Sequence, residues 1–431
     1  MNFREAEAYL LSLGNEVAAM KLGLVSIRTL LTALGDPQNN YLKVQVAGTN
    51  GKGSVCAFLD SICRTAGLKV GLYTSPHLVS ITERVRINGA EIGTEDFARF
   101  STRIRQGSER LVASGELPSV PTFFEQVTAI ALLAFAEAEV EVGILETGLG
   151  GRLDATTAAN AEICAITRID LDHQEYLGET IEEIAAEKGA IIRAGSRVII
   201  GEQQPAALRV ILEQCNAVSV EQRLVGGGNT SGSESAVPLT EEANGTPSLP
   251  VGFPPVLLGL KGKHQVENAA VAVAIAKELR AEFAIPDDAI ITGLQSATHE
   301  GRLEYDGRFL FDGAHNIGGA KALAAYIDEF EHRPITLIFG AMADKPVDEI
   351  LKLLASRVER IVLTQPANER ALHYDDLLNA MPAGVTRQRT FATDTVAKAV
   401  NIAETITPED GIILVTGSLY LVGEVKKVSR S

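Results

Sequence analysis

Apolar positions along the chain alternate between two rhythms. Short unbroken apolar runs, the mark of buried strands, are followed by longer stretches whose apolar residues recur every third or fourth place, the mark of amphipathic helices. The clearest pair is VQVAGTNGKGS, from Val44 to Ser54, followed by Val55, Phe58, Leu59, Ile62 and Cys63 at helical spacing as far as Gly67. It predicts a strand, a turn with no room for side chains, and a helix. Before it, residues 2–35 read as two helices, the second over 25–34 and closed by Gly35-Asp36-Pro37. After it come a strand over 69–74, a hairpin over 85–92 marked by an Asn-Gly pair, an apolar helix over 122–138 and a buried strand over 140–145 that ends at Glu146. The glycine-rich turn GLGGRLDAT leads to a strand over 163–167 and to Asp170-Leu171-Asp172-His173; Thr180 with Glu183 makes a capping box for a helix that carries Glu187 and Lys188.

Residues 226–250 are small, polar and aperiodic, which predicts a solvated, mobile loop inserted within a domain. A helix over 265–280 resumes the packed pattern. Near residue 299 the alternation restarts: strand 309–312, helix to 330, strand 335–339, helix 347–356, strand 360–363, a helix after Asp394 and strand 412–415. Strands alternating with helices imply mostly parallel sheets, with ligands gathering at the carboxyl ends of the strands. The expectation is an α/β chain of two domains, 1–298 and 299–431.

Composition narrows the function. A chain of 431 residues with 46% hydrophobic and 22% charged residues can bury large cores. A net charge of −16 argues against a general nucleic-acid binder, so an anionic ligand must be met by local cations. The opening MNFREAEAYL has no signal-peptide core and no apolar run is long enough to span a membrane, which predicts a cytoplasmic protein without a membrane partner. Cys56, Cys63, Cys164 and Cys215 lie in apolar surroundings without metal-ligand spacing, so they read as buried, reduced thiols.

The turn after the first strand is suited to an anion. Backbone N–H groups of Gly48, Thr49, Asn50, Gly51 and Gly53 would face it at the positive end of the helix, and Lys52 adds a point charge. The common phosphate loop has a hydroxyl residue directly after its lysine; here Gly53 follows Lys52, Ser54 comes one later, and Ala47 and Val46 stand five and six places before. That form argues against common kinases and GTPases, and a plain glycine turn is the alternative. Ser75, Glu146, Asp172, His173 and Lys188 read as polar groups at or just beyond strand ends, where one hydroxyl and one carboxylate beside phosphates would hold Mg²⁺. Taken singly, Glu146 is equally a solvated acid, Lys188 a late-helix cation and His173 a structural histidine.

AGTNGKGS, YTSPHL, ERVRING, TFFE, ETGLGGRLDAT, DLDH followed by LG, AEK, KGKHQVENA, GRLE, DGAHN, DK and TGSLYLVGE occur in that order between residues 24 and 424. Together they resemble the folylpolyglutamate synthases, often also dihydrofolate synthases in bacteria, of the Mur ligase superfamily. The resemblance implies an N-terminal Mur-ligase-type P-loop ATPase domain with a mostly parallel sheet and a C-terminal Rossmann-like α/β domain. It implies that Gly48, Thr49, Asn50, Gly51, Lys52, Gly53 and Ser54 hold ATP phosphates, and that Asn268, Arg302 and Asp312 contact adenine, phosphate and ribose. Ser75 and Glu146 would bind one Mg²⁺, with His173 and a carbamylated Lys188 serving a second; a monovalent cation is a further candidate cofactor. Thr122, Phe123, Phe124, Glu125, Leu153, Asp154 and Ala155 match the segments that hold the pteridine. The implied partners are dihydropteroate, reduced folates and L-glutamate, acted on by a monomer.

The family usually has asparagine at Thr157, an alanine-glycine order at Gly189-Ala190 and often tryptophan-proline at His299-Glu300. None of these removes a catalytic group, though the last touches the region where domain closure would be controlled. The implied chemistry is attack of a pterin-acid carboxylate on the γ-phosphate of ATP, then of the glutamate amine on the acyl phosphate. For glutamate the candidates lie around His315 and Asn316; His315 could bind a carboxylate, take the amine proton or position the DGAHN turn. Rival readings are a Mur-type ligase acting on a cell-wall nucleotide, an ATP-hydrolysing regulator and a non-catalytic folate carrier.

Overall fold

The computed structural model describes residues 1–14, 23–226, 240–241, 247–248, 256–383 and 385–429. Strand β1 (Leu42–Ala47) is almost wholly buried and forms the middle of the first sheet. With β2 (Val70–Tyr73), β3 (Val85–Ile87), β4 (Ala90–Glu91), β5 (Val142–Glu146), β6 (Ile163–Ile166), β7 (Arg197–Ile200) and β8 (Gln222–Leu224) it builds eight strands in the order β4-β3-β2-β5-β1-β6-β7-β8. Every pairing from β2 to β8 is parallel; β3 and β4 are antiparallel, joined by Asn88 and Gly89, both left-handed, as an Asn-Gly hairpin requires. The expected solvated loop at 226–250 lies outside the described residues, apart from Gly226 and the antiparallel pair β9 (Thr240–Glu241) and β10 (Pro247–Ser248).

The second sheet runs β11 (Glu304–Asp306), β12 (Phe309–Phe311), β16 (Ile412–Thr416), β13 (Ile335–Phe339), β14 (Arg360–Thr364), β15 (Thr390–Thr393), parallel except for the β11–β12 hairpin. Helices cover the strands as the apolar spacing predicts: Lys52–Thr65, Phe123–Glu137 and His264–Leu279 in the first half, Ile317–Phe330, Val347–Leu354 and Val396–Ile406 in the second. The helix Thr94–Ala113 was not among the expected elements, although it buries Phe97, Phe100, Ile104 and Leu111 on one face. Among the described residues no helix is long and apolar enough to cross a membrane, and all four cysteines are buried free thiols.

The chain divides into two compact units, one of residues 1–77, 81–259 and 266–297, the other of 78–80, 260–265 and 298–431. A single boundary at 299 therefore misses two short segments. Leu78 belongs to the second unit because its carbonyl sits where a side chain on Gly423 would be: a Cβ there would lie 1.9 Å from Leu78 O. Gly262, left-handed, packs against His264 and Leu303 in the same unit. Each unit has its own cores, gathered around Phe135, Ile130 and Tyr73 and around Ile166, Ile184 and Ile200 in the first, and around Leu337, Phe339 and Leu414 and around Phe311, Val400 and Val425 in the second.

Candidate functional site

In the first unit β2, β5, β1 and β6 are adjacent and parallel, so Ser75, Glu146, Gly48 and Thr167 leave the sheet side by side at one edge. The β1 turn is tight at two points. Gly48 has φ +151° and an added Cβ would meet Thr167 Oγ1 at 1.9 Å; Gly51 has φ +92°, and its Cβ would meet Asn268 Oδ1 at 2.2 Å. Only glycine fits either place. Gly51 is also the N-cap of the helix Lys52–Thr65 and supplies no side-chain cap, so the N–H groups of the first turn have no side chain of their own to satisfy them. The loop is braced from the segment after β6: Thr49 N–H donates to Arg168 O at 2.9 Å, Asn50 Nδ2 to Asp170 Oδ2 at 2.9 Å and Thr49 Oγ1 to Asp170 O at 3.0 Å.

Two lysines converge on one carbonyl of this loop. Lys52 Nζ donates to Gly48 O at 3.0 Å and to Thr49 O at 3.1 Å, and Lys188 Nζ donates to Gly48 O at 2.9 Å. Lys188 lies in the last turn of the helix Ile181–Gly189, the helix expected to carry it, and from there its buried amine reaches back to the loop. Burial and the neighbouring Lys52 lower it to about 7, against the pull of Asp172, Asp154 and Glu187. Glu146 is buried and accepts from Ser75 N–H at 3.1 Å. His173 caps a short helix in the left-handed conformation, its N–H on Asp172 Oδ1 at 2.9 Å. Among the described residues no three His, Cys, Asp or Glu side chains cluster as a metal site.

Beside Glu146, the turn 147–157 and the start of the helix Phe123–Glu137 meet. Asp154 is buried and its carboxylate accepts from the N–H groups of Gly148, Leu149 and Thr156 and from the Thr156 hydroxyl. It builds the turn; of its neighbours Leu153 is half-buried, and Ala155 is buried in the apolar core of the first unit rather than turned toward a ligand. Thr157 donates to Gly151 O at 2.7 Å and accepts from Gln45 Nε2 at 2.8 Å, so the usual asparagine is replaced without loss of the turn. Thr122 and Glu125 form a capping box at the N-terminus of Phe123–Glu137. One Glu125 oxygen accepts from Thr122 at 2.8 Å; the other, Oε1, is buried with no hydrogen-bond partner among the described residues. Phe124 is half-buried against Gly148 and 6.1 Å from the Tyr73 ring, while Phe123 is buried with the Arg84 guanidinium 5.4 Å from its ring.

The second unit has its own polar edge at the ends of β12, β16, β13 and β14. Asp312 is buried and accepts from Leu303 N–H and Ala314 N–H at 3.1 and 3.0 Å; burial raises it, against Arg302 and these N–H groups. Arg302 lies against Gly313, and burial together with Arg302 lowers His264 to about 4. His315 Nδ1 is 2.8 Å from Gly313 O; because a carbonyl only accepts, Nδ1 carries a proton. Asn316 is committed as N-cap of Ile317–Phe330, accepting from Gly319 N–H at 2.8 Å.

Three charged residues at this edge had no role from sequence. Asp344 is bonded to Lys345 at 3.3 Å and to Arg370 at 3.0 Å. Burial raises the Asp344 carboxyl, but Lys345 and Arg370 together hold it below the usual carboxylate range. The signal for them was present: charges that follow an apolar strand directly, as Asp344-Lys345 follows 335–339, sit where parallel sheets bind ligands.

Family models match over most of the chain: the Mur ligase middle domain over residues 46–276 and the Mur ligase glutamate ligase domain over 301–419. The chain is 34% identical over 415 residues to the dihydrofolate synthase/folylpolyglutamate synthase of Bacillus subtilis, covering 95% of each protein. It is 36% identical over 441 residues to the probable bifunctional folylpolyglutamate synthase/dihydropteroate synthase of Halobacterium salinarum, covering 99% of this chain; it spans about half the length of that relative, 51%. Among solved structures it is similar to E. coli FolC in complex with DHPP and ADP, with a TM-score of 0.84, 30% identity and 100% and 99% of the two chains covered.

Proposed function

This chain belongs to the Mur ligase family, in its folylpolyglutamate synthase/dihydrofolate synthase branch, and from that premise we propose that it is an ATP-dependent ligase that joins L-glutamate to a pterin acid. The acceptor is dihydropteroate, the γ-carboxyl of a reduced folate, or both. The observation that carries the reading is the β1 turn: two glycines with no room for a side chain, the open end of a helix, and the amines of Lys52 and Lys188 on one carbonyl. That is an anion cradle with the Lys52 cation at its rim and a second amine, of lowered basicity, against the same carbonyl.

Each residue has a task in the reaction. The loop N–H groups of residues 48–54 hold ATP phosphates, and Lys52 exchanges its two carbonyl partners for a phosphate oxygen. The residues fit a divalent cation that keeps most of its waters: Glu146 is a buried oxygen donor at a strand end beside Ser75, and phosphate oxygens would supply further ligands. When bound, that ion neutralises charge on the transferred group. Lys188 acts as a carbamate. An amine near 7 is in large part neutral at physiological pH, and its lone pair adds to CO₂, forming an N–C bond and releasing a proton. The anion so formed stands beside the Lys52 ammonium, so the charge pair that disfavours a protonated Lys188 favours its carbamate. His173 serves the same centre.

The Glu125 oxygen without a partner among the described residues, Phe124 and Leu153 receive the pteridine, whose ring N–H groups require a buried acceptor. Asp154 holds the turn that carries them. In the second unit Arg302 meets phosphate and Asp312 the ribose. Lys345 and Arg370 take the two carboxylates of glutamate, a pair of anions that needs a pair of cations, and His315 Nε2 accepts the proton of the amine.

The test gives purified protein Mg²⁺, ATP and L-glutamate with dihydropteroate, with tetrahydrofolate, or with a UDP-sugar acid, and reads the products by mass. The expected result is a new amide with the pterin acids, ADP release that depends on glutamate, and nothing from the cell-wall precursor. Glutamate-independent ADP release, or an amide only with the UDP-sugar acid, defeats the assignment.

A further inference from the structure

His299-Glu300 is the place where this chain departs from the usual tryptophan-proline, and Glu300 has a partner that the sequence did not suggest. Lys426, on the C-terminal helix Leu419–Ser429, is fully buried, yet its ammonium has two carboxylates: Glu300, and both oxygens of Glu304 at 2.8 Å. It also lies 5.6 Å from the Phe311 ring. The two glutamates bracket the turn that carries Arg302. Within it Gly301 N–H donates to Glu304 Oε2 at 2.7 Å, Gly301 O accepts from Gly313 N–H at 2.8 Å, and Leu303 N–H donates to Asp312.

These bonds hold a backbone in a demanding conformation. Gly301 and Leu303 are both left-handed, with φ of +68° and +46°, and a branched side chain such as Leu303 adopts that conformation only where its surroundings impose it. A buried ammonium gripping the residues on either side is such an imposition. The desolvated cation is stabilised only while both carboxylates stay in place, so the grip is tight in the direction that matters.

We infer that Lys426 is a positioning residue for Arg302: its buried ammonium, ion-paired with Glu300 and Glu304, fixes the five-residue turn that presents the guanidinium. The inference rests on the reading that Arg302 meets ATP phosphate. The chain thereby replaces the stiffness of a tryptophan-proline pair with an ion-paired clamp.

The test is a cycle on the full chain: wild type, Lys426→Met, Arg302→Ala and the double variant, with kcat and the KM values for ATP and for glutamate measured for glutamate addition. If Lys426 acts through Arg302, Lys426→Met lowers kcat about tenfold with little change in KM for glutamate, and by less than about twofold once Arg302 is gone. Equal losses in both backgrounds overturn the role of Lys426 alone. A wild-type kcat in Arg302→Ala defeats the assignment of Arg302 and this role with it. If Lys426→Met does not fold, as judged by melting, Glu300→Gln releases one half-exposed arm; a loss of about threefold that vanishes with Arg302→Ala is expected, and no loss, or the same loss in both, overturns the inference. Should the wild type form no amide, which would sink the ligase reading instead, the same four proteins are compared by affinity for a non-hydrolysable Mg-ATP analogue, with the same non-additive pattern required.

Discussion

Lys188 shows how much one amine can be asked to do. Its folded value of about 7 lies below the ordinary 10.5, so between those values the unfolded chain binds a proton that the folded chain does not. By linkage this group makes stability rise as pH climbs through that window, and below about 7 its contribution is flat. The same depression makes it reactive toward CO₂. We expect turnover in CO₂-depleted buffer to fall, bicarbonate to restore it, and the requirement to sharpen as pH drops below about 7, where the amine is protonated. Lys188→Ala should lose most turnover while keeping its affinity for an ATP analogue; full turnover in that variant, or no carbamate signal with ¹³C-bicarbonate, removes the carbamate from the mechanism. Gly48 is a second residue-scale case. Gly48→Ala places a methyl group 1.9 Å from Thr167 Oγ1 at a φ of +151°, so the loop must shift. The expected cost is about 2 kcal/mol or more in unfolding free energy, with at least about tenfold weaker binding of an ATP analogue; unchanged affinity would show that the loop is not the phosphate site.

At the scale of elements, the N-terminus of Phe123–Glu137 couples stability to ligand geometry. Thr122→Ala removes the hydroxyl that accepts from Glu125 N–H and donates to its carboxylate, at about 1 kcal/mol, and frees Glu125 to turn. Melting should fall modestly and affinity for dihydropteroate more than stability; a purely structural cap would lower melting alone. This element was legible because its apolar run and its T-x-x-E box agree. The strand ends were legible for a similar reason, since an apolar run that stops at Glu146 or Asp312 announces both the strand and its exit. Other elements carry weaker signals: β15 is four residues of which one is buried, Tyr374–Asn379 is under two turns, and β7 is only four residues long. The helix Thr94–Ala113 is different, since Phe97, Phe100, Ile104 and Leu111 stand at helical spacing, and its many charges hid a pattern that was present. What no local pattern contains is the meeting of Lys188 with Gly48, 140 residues apart, or of Lys426 with Glu300, because those depend on where a helix points after it has packed.

For the molecule as a whole, the separation of cores matters most. Among the described residues each unit has its own sheet, helices and buried clusters. A chain of 431 residues is also well beyond the size at which two-state behaviour is usual. We therefore expect calorimetry to resolve two components. Leu414 is fully buried in β16, and Leu414→Ala should lower only the component of the second unit, by about 2–5 kcal/mol. The groups proposed for the pteridine all belong to the first unit, so dihydropteroate at about 100 times its dissociation constant should raise the other component alone, by about 2.7 kcal/mol. A variant and a ligand that address different halves should then add without interaction. One transition that moves as a whole under both would mean that the two units unfold together, and that a pterin acid bound by one is felt directly by the stability of the other.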